Sequence, residues 1–237
     1  MRLFISARIR PWYVMFTLFT LAIVFVTDFL ADLGYNTPVR QAPMPIFQGK
    51  RTTAEVAFAC NVFWGEDIMP DMLQVLSDNQ VKATFFIGGS WARRHPESLK
   101  MIFDAGHELG NHSFTHPHPN RLNKEQNQEE IIRTEKLIEE VTGFKTRLYA
   151  PPYGEYNKTV LEAAQELGYA TIMWTADTID WRRPSPETII RRIDAKLQNG
   201  AIILMHPTDP TLKALPELIR LIKAKGYTIA TVSDVIN

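Results

Sequence analysis

The chain has 237 residues, room for one domain of about 200 residues plus an appendage. Its 26 basic and 26 acidic side chains leave no net charge, so no global field draws it to nucleic acid or another polyanion. A single cysteine, Cys60, excludes an internal disulfide and a cysteine-based zinc or redox motif.

Arg2, Arg8 and Arg10 precede an uncharged apolar run from Pro11 to Thr27, PWYVMFTLFTLAIVFVT. Its length, about 17 residues, is at the lower limit for crossing the hydrocarbon core. Trp12 and Tyr13 stand where amphipathic aromatics prefer the headgroup region, and the arginines favour the cytoplasmic side. The run predicts a single-pass membrane anchor over residues 1–31. A cleavable signal peptide has the same basic start and short apolar core. Against cleavage, DFLAD offers no small-x-small site, because Phe29 stands two before Ala31. Either way the rest of the chain is expected outside the cytoplasm. Residues 32–52 hold several prolines and no sustained periodicity, which predicts a stalk, partly packed near Ile46 and Phe47.

Over residues 53–237 short apolar runs alternate with amphipathic stretches. Strands are predicted at Val56–Asn61, Lys82–Ile87, Glu108–Asn111, Arg147–Ala150, Ala170–Thr175, Ala201–Met205 and Thr228–Val232. Helices are predicted near Asp67–Asp78, Pro96–Ala105, Lys124–Val141, Lys158–Leu167, Pro186–Gln198 and Leu212–Ala224, with Gly143 as a C-cap. Such alternation implies parallel strands, and about seven βα units favour a (β/α) barrel, whole or incomplete, over an open sheet. Barrels collect their chemistry where strands meet the following loops.

Polar motifs fall at those strand ends. The first strand runs through FACNVFWGED, where Asn61 and Val62 leave the strand and no acid stands. The third leads into GNHSFTHPHP, with His112 and His116 four residues apart and His118 following. Imidazoles at that spacing can share one face of a helical turn and converge on a divalent metal, although the pair alone does not name the ion. The fourth ends in YAPPYGEYN, a rigid bend able to aim a backbone N–H at a developing oxyanion. The fifth ends in TADTIDWRRP, and Asp177 and Asp180 there are equally ordinary turn or cap residues. The sixth ends in IILMHPTD, which delivers His206. Each motif has a plain structural explanation alone; four consecutive strand ends carrying them do not.

VKATFFIGG followed by GHELGNHSFTHP, with the later motifs in order, resembles the polysaccharide deacetylase family, the homology domain of the nodulation-factor deacetylases. The likeness spans about Pro45 to Val235. It implies a distorted (β/α) barrel of seven strands and metal-dependent removal of acetyl groups from cell-wall or chitin-like glycans, so the implied partners are polysaccharide or peptidoglycan strands. NVFWGED and the anchor look most like a branch from spore-forming bacteria, often associated with sporulation. By the resemblance, His112 and His116 are metal ligands, with zinc the expected ion. Tyr153 lends an oxyanion-hole N–H, and Trp181 and Leu204 wall the acetyl pocket. His206 is the general acid, oriented by Asp177 or Asp180.

Two positions depart from the family pattern. Its first motif, Thr-Phe-Asp-Asp-Gly, supplies a catalytic base and a metal ligand, and these positions become Asn61 and Val62, with an insertion before Gly65. The family's arginine, which orients the base, falls at Ala150. Asparagine positions a water without taking its proton, and loss of general-base help costs a factor of about 10² to 10⁴. Glu66 or Asp67 could swing back to supply a carboxylate, Glu66 being the candidate third ligand, or both could cap the next helix. Two readings result: a metal-dependent deacetylase with a rearranged base, or a membrane-tethered, glycan-binding pseudoenzyme.

Overall fold

The computed structural model describes residues 11–32 and 42–237. Arg2, Arg8, Arg10 and the stalk over residues 33–41 lie outside the described residues. The chain divides into two units, Met1–Ala42 and Pro43–Asn237. In the first, α1 (Pro11–Asp32) exposes Trp12, Phe16, Phe19, Ile23 and Phe25, apolar side chains on every face. The hydroxyls of Thr20 and Thr27 donate to backbone carbonyls three or four residues back. Among the described residues no helix is long and apolar enough to cross a membrane.

In the second unit the central strand is β1 (Glu55–Val62). It pairs in parallel with β2 (Thr84–Ile87) on one side and β7 (Ile202–Met205) on the other. β3 (Glu108–Asn111), β4 (Leu148–Tyr149) and β5 (Ala170–Thr171) continue beyond β2, and β6 (Ala176–Asp177) lies beyond β7. The path β5-β4-β3-β2-β1-β7-β6 is a curled half-barrel of seven parallel strands, and β8 (Thr228–Ala230) pairs with the start of β1. Of the strand predicted at Ala170–Thr175 only the first two residues pair, as β5, and β6 follows just past its end on the opposite edge of the sheet. Residues 172–175 cross from one edge to the other. Ile172 N–H donates to Tyr149 (2.7 Å), and Thr175 N–H donates to Ile202 (3.0 Å).

A strap closes the same gap. Ile46 N–H donates to Thr171 (2.8 Å), Met173 N–H to Ile46 (2.7 Å) and Gly49 N–H to Gly200 (2.8 Å). A Cβ on Gly49 would lie 2.2 Å from the Val235 carbonyl oxygen, so only glycine lets the strap approach this closely. Residues 43–52, expected in the stalk, therefore belong to the domain.

Alternation along β1 separates two cores. Val56, Phe58, Cys60 and Val62 pack outward with Phe85, Ile87 and helix residues such as Met72, Leu99 and Leu218. Ala57 and Ala59 face inward with Phe86, Leu148, Ile172 and Ile202. Burying each large aliphatic or aromatic side chain contributes about 1.5–3 kcal/mol, which holds the helices on the sheet. Those helices are α2 (Met69–Asp78), α3 (Gly89–Arg94), α4 (Pro96–Asp104), α5 (Lys124–Thr142), α6 (Lys158–Glu166), α7 (Pro186–Asp194), α8 (Asp209–Ala224) and α9 (Val232–Ile236). Gly143 is left-handed (φ 72°) and caps α5 as its position predicts.

Candidate active site

The inward face of the sheet carries on past the strand ends. Asn61 follows Ala57 and Ala59, His112 follows Gly110, and His206 follows Leu204. Cys60 pairs with Met205, so Asn61 and His206 leave adjacent strands side by side.

Asp180 organises one half of the site. It is fully buried, and its Oδ1 lies 2.7 Å from His206 Nδ1. Its Oδ2 accepts from the His206 N–H (2.6 Å) and from the Thr211 hydroxyl (2.5 Å). Burial opposes ionisation, but the hydrogen bonds from His206 and Thr211 prevail and hold the carboxyl below its usual range. An Nδ1–H donated to Asp180 leaves His206 Nε2 as the nitrogen able to exchange a proton. Of the two candidate aspartates, Asp180 holds the histidine. Asp177 Oδ1 accepts the Ile179 N–H (2.8 Å), closing a turn in which Ile179 is left-handed. Leu204 is buried and is the register partner of Asp177 across β6 and β7, and Trp181 is exposed with the Arg182 guanidinium 4.7 Å over its ring.

His112 and His116 form the other half, with ring centroids 4.9 Å apart. The helical turn expected between them does not form. β3 ends at Asn111, and left-handed Ser113 (φ 62°) and His116 (φ 57°) fold a loop instead. The loop is clasped by Glu130 of α5, whose Oε2 accepts the Phe114 (2.8 Å) and Thr115 (2.7 Å) N–H groups while Oε1 accepts the Thr115 hydroxyl (3.0 Å). His112 Nδ1 lies 2.7 Å from the Ala150 carbonyl, an N–H···O bond that makes Nε2 the nitrogen able to ligate. Burial, then the neighbouring His116, lowers the His112 pKa to about 3, and burial lowers that of His116 too, so both rings are neutral. Tyr153, left-handed at φ 58°, sets its ring edge-on to His116 (4.6 Å) and stacked on His118 (4.1 Å), whose Nδ1 meets Glu155 at 2.9 Å.

Glu130 was not among the sequence candidates, though it stands with Asn127, Ile131, Thr134 and Ile138 on the buried stripe of α5, where an unpartnered carboxylate would be costly. Glu130→Ala is expected to cost about 1–3 kcal/mol in urea unfolding, since the buried Phe114 N–H loses its acceptor. The His112 and His116 imidazole resonances should shift with it. A folded variant whose histidine resonances match those of the wild type would show that the loop holds itself.

The altered strand end fills the space between the halves with aromatic rings. Val62 points outward into the helix-facing core, away from the histidines. Phe63 lies 4.8 Å from the His116 ring, and Trp64 stacks on His206 at 5.4 Å with 12° between planes. Glu66, the expected third ligand, instead approaches His95 (3.6 Å). The N-cap of α2 is Ile68, which has no capping oxygen, so the capping alternative for Glu66 and Asp67 is not what starts this helix. Among the described residues no three His, Cys, Asp or Glu side chains are placed to hold one metal ion. A catalytic zinc takes three protein ligands, and the residues here do not fit one.

A sequence profile of the polysaccharide deacetylase family matches residues 50–172. The chain belongs to the polysaccharide deacetylase family. This deacetylase-family chain is 44% identical over 195 residues to the uncharacterized protein YlxY of Bacillus subtilis, covering 82% of this chain and 61% of that one. It is 32% identical over 190 residues to a peptidoglycan-N-acetylglucosamine deacetylase of Bacillus cereus, covering 78% and 69%. Among solved structures it resembles BA3943 of Bacillus anthracis, described as a CE4 family pseudoenzyme, with TM-score 0.81 and 39% identity over 82% of this chain and 69% of that one. A mutant of BA3943 is described as having restored enzymatic activity. The family is one of carbon–nitrogen hydrolases, in general metal-dependent.

Proposed function

We propose that the domain binds N-acetylated cell-wall glycan, with peptidoglycan strands as its partner, and that hydrolysis there is reduced or lost. The observation that carries this reading is the asymmetry of the site. The half that protonates a leaving amine is complete in His206 and Asp180, whereas the half that activates water has Asn61 and Val62 at the family's carboxylate positions, with the Phe63 ring against His116. Zinc, the ion the family resemblance implies, lacks a carboxylate ligand beside His112 and His116. The relative named as a peptidoglycan deacetylase supports the glycan class.

A single-pass membrane location with the domain on the extracytoplasmic side is part of the same proposal. It is supported by the basic residues before Pro11, the uncharged run to Thr27 and the apolar side chains around α1. The likeness of NVFWGED to a branch from spore-forming bacteria supports a setting in sporulation.

The full chain should bind N-acetylglucosamine oligomers and peptidoglycan at micromolar concentration. Acetate release should lie about 10² to 10⁴ below that of the Asn61→Asp, Phe63→Asp variant, which supplies the carboxylates. Release as fast as in that variant, and abolished by His206→Ala, would overturn the proposal.

A further inference from the structure

The chain's charges cancel overall but not locally. From Arg182 to Ile193 it carries Arg182, Arg183, Arg191 and Arg192 against a single acid, Glu187. The fold brings three of these guanidiniums to one loop. Arg182 ends the helical turn Asp180–Arg182, and Arg183 follows it in the left-handed region (φ 51°), uncommon for any residue but glycine. The Arg183 N–H donates to the Asp180 carbonyl (2.8 Å), which ties it to the residue that holds His206. From α7 the Arg192 guanidinium reaches the same loop and donates to the Thr178 carbonyl (2.8 Å).

The domain has no acid to set against Arg182 and Arg183. Both are exposed, and among the described residues neither forms an ion pair. The loop's own carboxylates are engaged, Asp180 by His206 and Thr211 and Asp177 by the Ile179 N–H. Glu187 stands in the first turn of α7, where the helix end favours a negative charge. The Arg182 guanidinium lies over the ring of Trp181, which is 52% exposed, so this charge is held at the surface rather than sweeping through solvent. A guanidinium is a planar fork that grips a carboxylate through two hydrogen bonds, and one already stacked loses less freedom on binding. Cations gathered without counter-charges attract an anion, and their place beside His206 puts that anion on whatever occupies the site.

We propose that Arg182 and Arg183, supported by Arg192, form a recognition site for a carboxylate carried by the bound glycan strand. The site selects acid-bearing peptidoglycan, whose peptide stems carry carboxylates, over neutral chitin-like polymers, which carry none. The proposal rests on the glycan-binding reading above and narrows it to one class of strand. Because the pairing forms at the surface, salt screens it, and the preference for the acidic strand fades as ionic strength rises.

The test titrates the full chain in detergent, by binding heat, with a disaccharide-peptide muropeptide, with the same muropeptide after its carboxylates are amidated, and with chitotetraose. The intact muropeptide should bind about tenfold or more tighter than its amidated form, and that ratio should shrink between about 0.05 and 0.5 M salt. The Arg182→Gln, Arg183→Gln double variant should lose the same factor for the intact muropeptide and keep its affinity for chitotetraose. That retained affinity, with an unchanged melting temperature, separates lost recognition from lost folding, and the amidation arm needs no variant. Equal binding of intact and amidated muropeptide, or a preference that survives the double substitution, overturns this assignment while leaving glycan binding standing. Polyglycerol phosphate or phosphatidylglycerol vesicles held more tightly than the muropeptide, through the same arginines, would assign the patch to a phosphate partner and overturn it too. No binding of any glycan overturns both readings.

Discussion

Replacing Asn61 and Phe63 together by aspartate is expected to create a divalent-metal site and to raise acetate release from N-acetylglucosamine oligomers by about 10² to 10⁴. His112 and His116 are neutral and adjacent, and His112 already donates its Nδ1–H to Ala150, so two ligands are in place. The Phe63 ring stands 4.8 Å from His116, and a carboxylate in its place points at the same histidine. Aspartate at position 61 restores a base beside His206. Family alignment would instead place the metal carboxylate at Val62, but Val62 packs in the outer core with Phe58 and Cys60. Val62→Asp should therefore bind no metal and lose about 2–7 kcal/mol or ionise only weakly, as a polar group in an apolar layer does. Metal content after dialysis and the thermal shift with zinc separate the two. At a zinc concentration of about 100 times the Kd, the Asn61→Asp, Phe63→Asp double variant gains about 2.7 kcal/mol. A Val62→Asp variant that takes up zinc while the Phe63→Asp double variant does not would reverse the assignment.

The fold was largely legible because its strands are buried on both faces and read as short apolar runs. Glu108–Asn111 formed at the predicted residues, and Val56–Asn61 differed by one at each end. The run Ala170–Thr175 was misread because hydrophobicity cannot show a change of partner. Thr171 is held by the strap and Thr175 by Ile202, on opposite edges of the sheet. Likewise Thr228–Val232 read as one strand, although Thr231 and Asp234 form a capping box that starts α9. The acid half was legible down to the choice between two aspartates, which only a hydrogen bond decides. In the other half the four-residue spacing of His112 and His116 pointed to the pair but not to its geometry, since left-handed Ser113 and His116 bring the rings together in a loop rather than a helical turn. Phe63 and Trp64 were visible as an insertion, and strand alternation from Ala59 and Asn61 already sends residue 63 inward. Which group each ring meets depends on Pro207 and Gly65 nesting, a contact across more than a hundred residues of chain.

Removing the Asp180 carboxylate is expected to be among the most damaging single changes in the domain. Asp180→Ala strands the His206 Nδ1–H, the His206 backbone N–H and the Thr211 hydroxyl, all donors in a buried setting. At about 1–3 kcal/mol for each buried group left unpaired, the loss in urea unfolding at pH 7 should reach about 3 kcal/mol or more, against about 1 for Thr211→Val. The pH dependence follows from the direction of the Asp180 shift. Burial raises its pKa, hydrogen bonds from His206 and Thr211 outweigh burial, and the folded carboxyl lies below its unfolded value. Its stabilisation is therefore complete above the unfolded carboxylate range, near 3.9, and is lost as pH falls through the folded pKa. The stability gap between wild type and Asp180→Ala should narrow in acid. A gap unchanged down to pH 2 would mean that the charge of Asp180 contributes nothing and that the residue acts as a spacer. The same substitution frees the His206 ring on which Trp64 rests, so the tryptophan emission should change with it. Position 180 thus orients His206 and, through it, the Trp64 ring stacked on it.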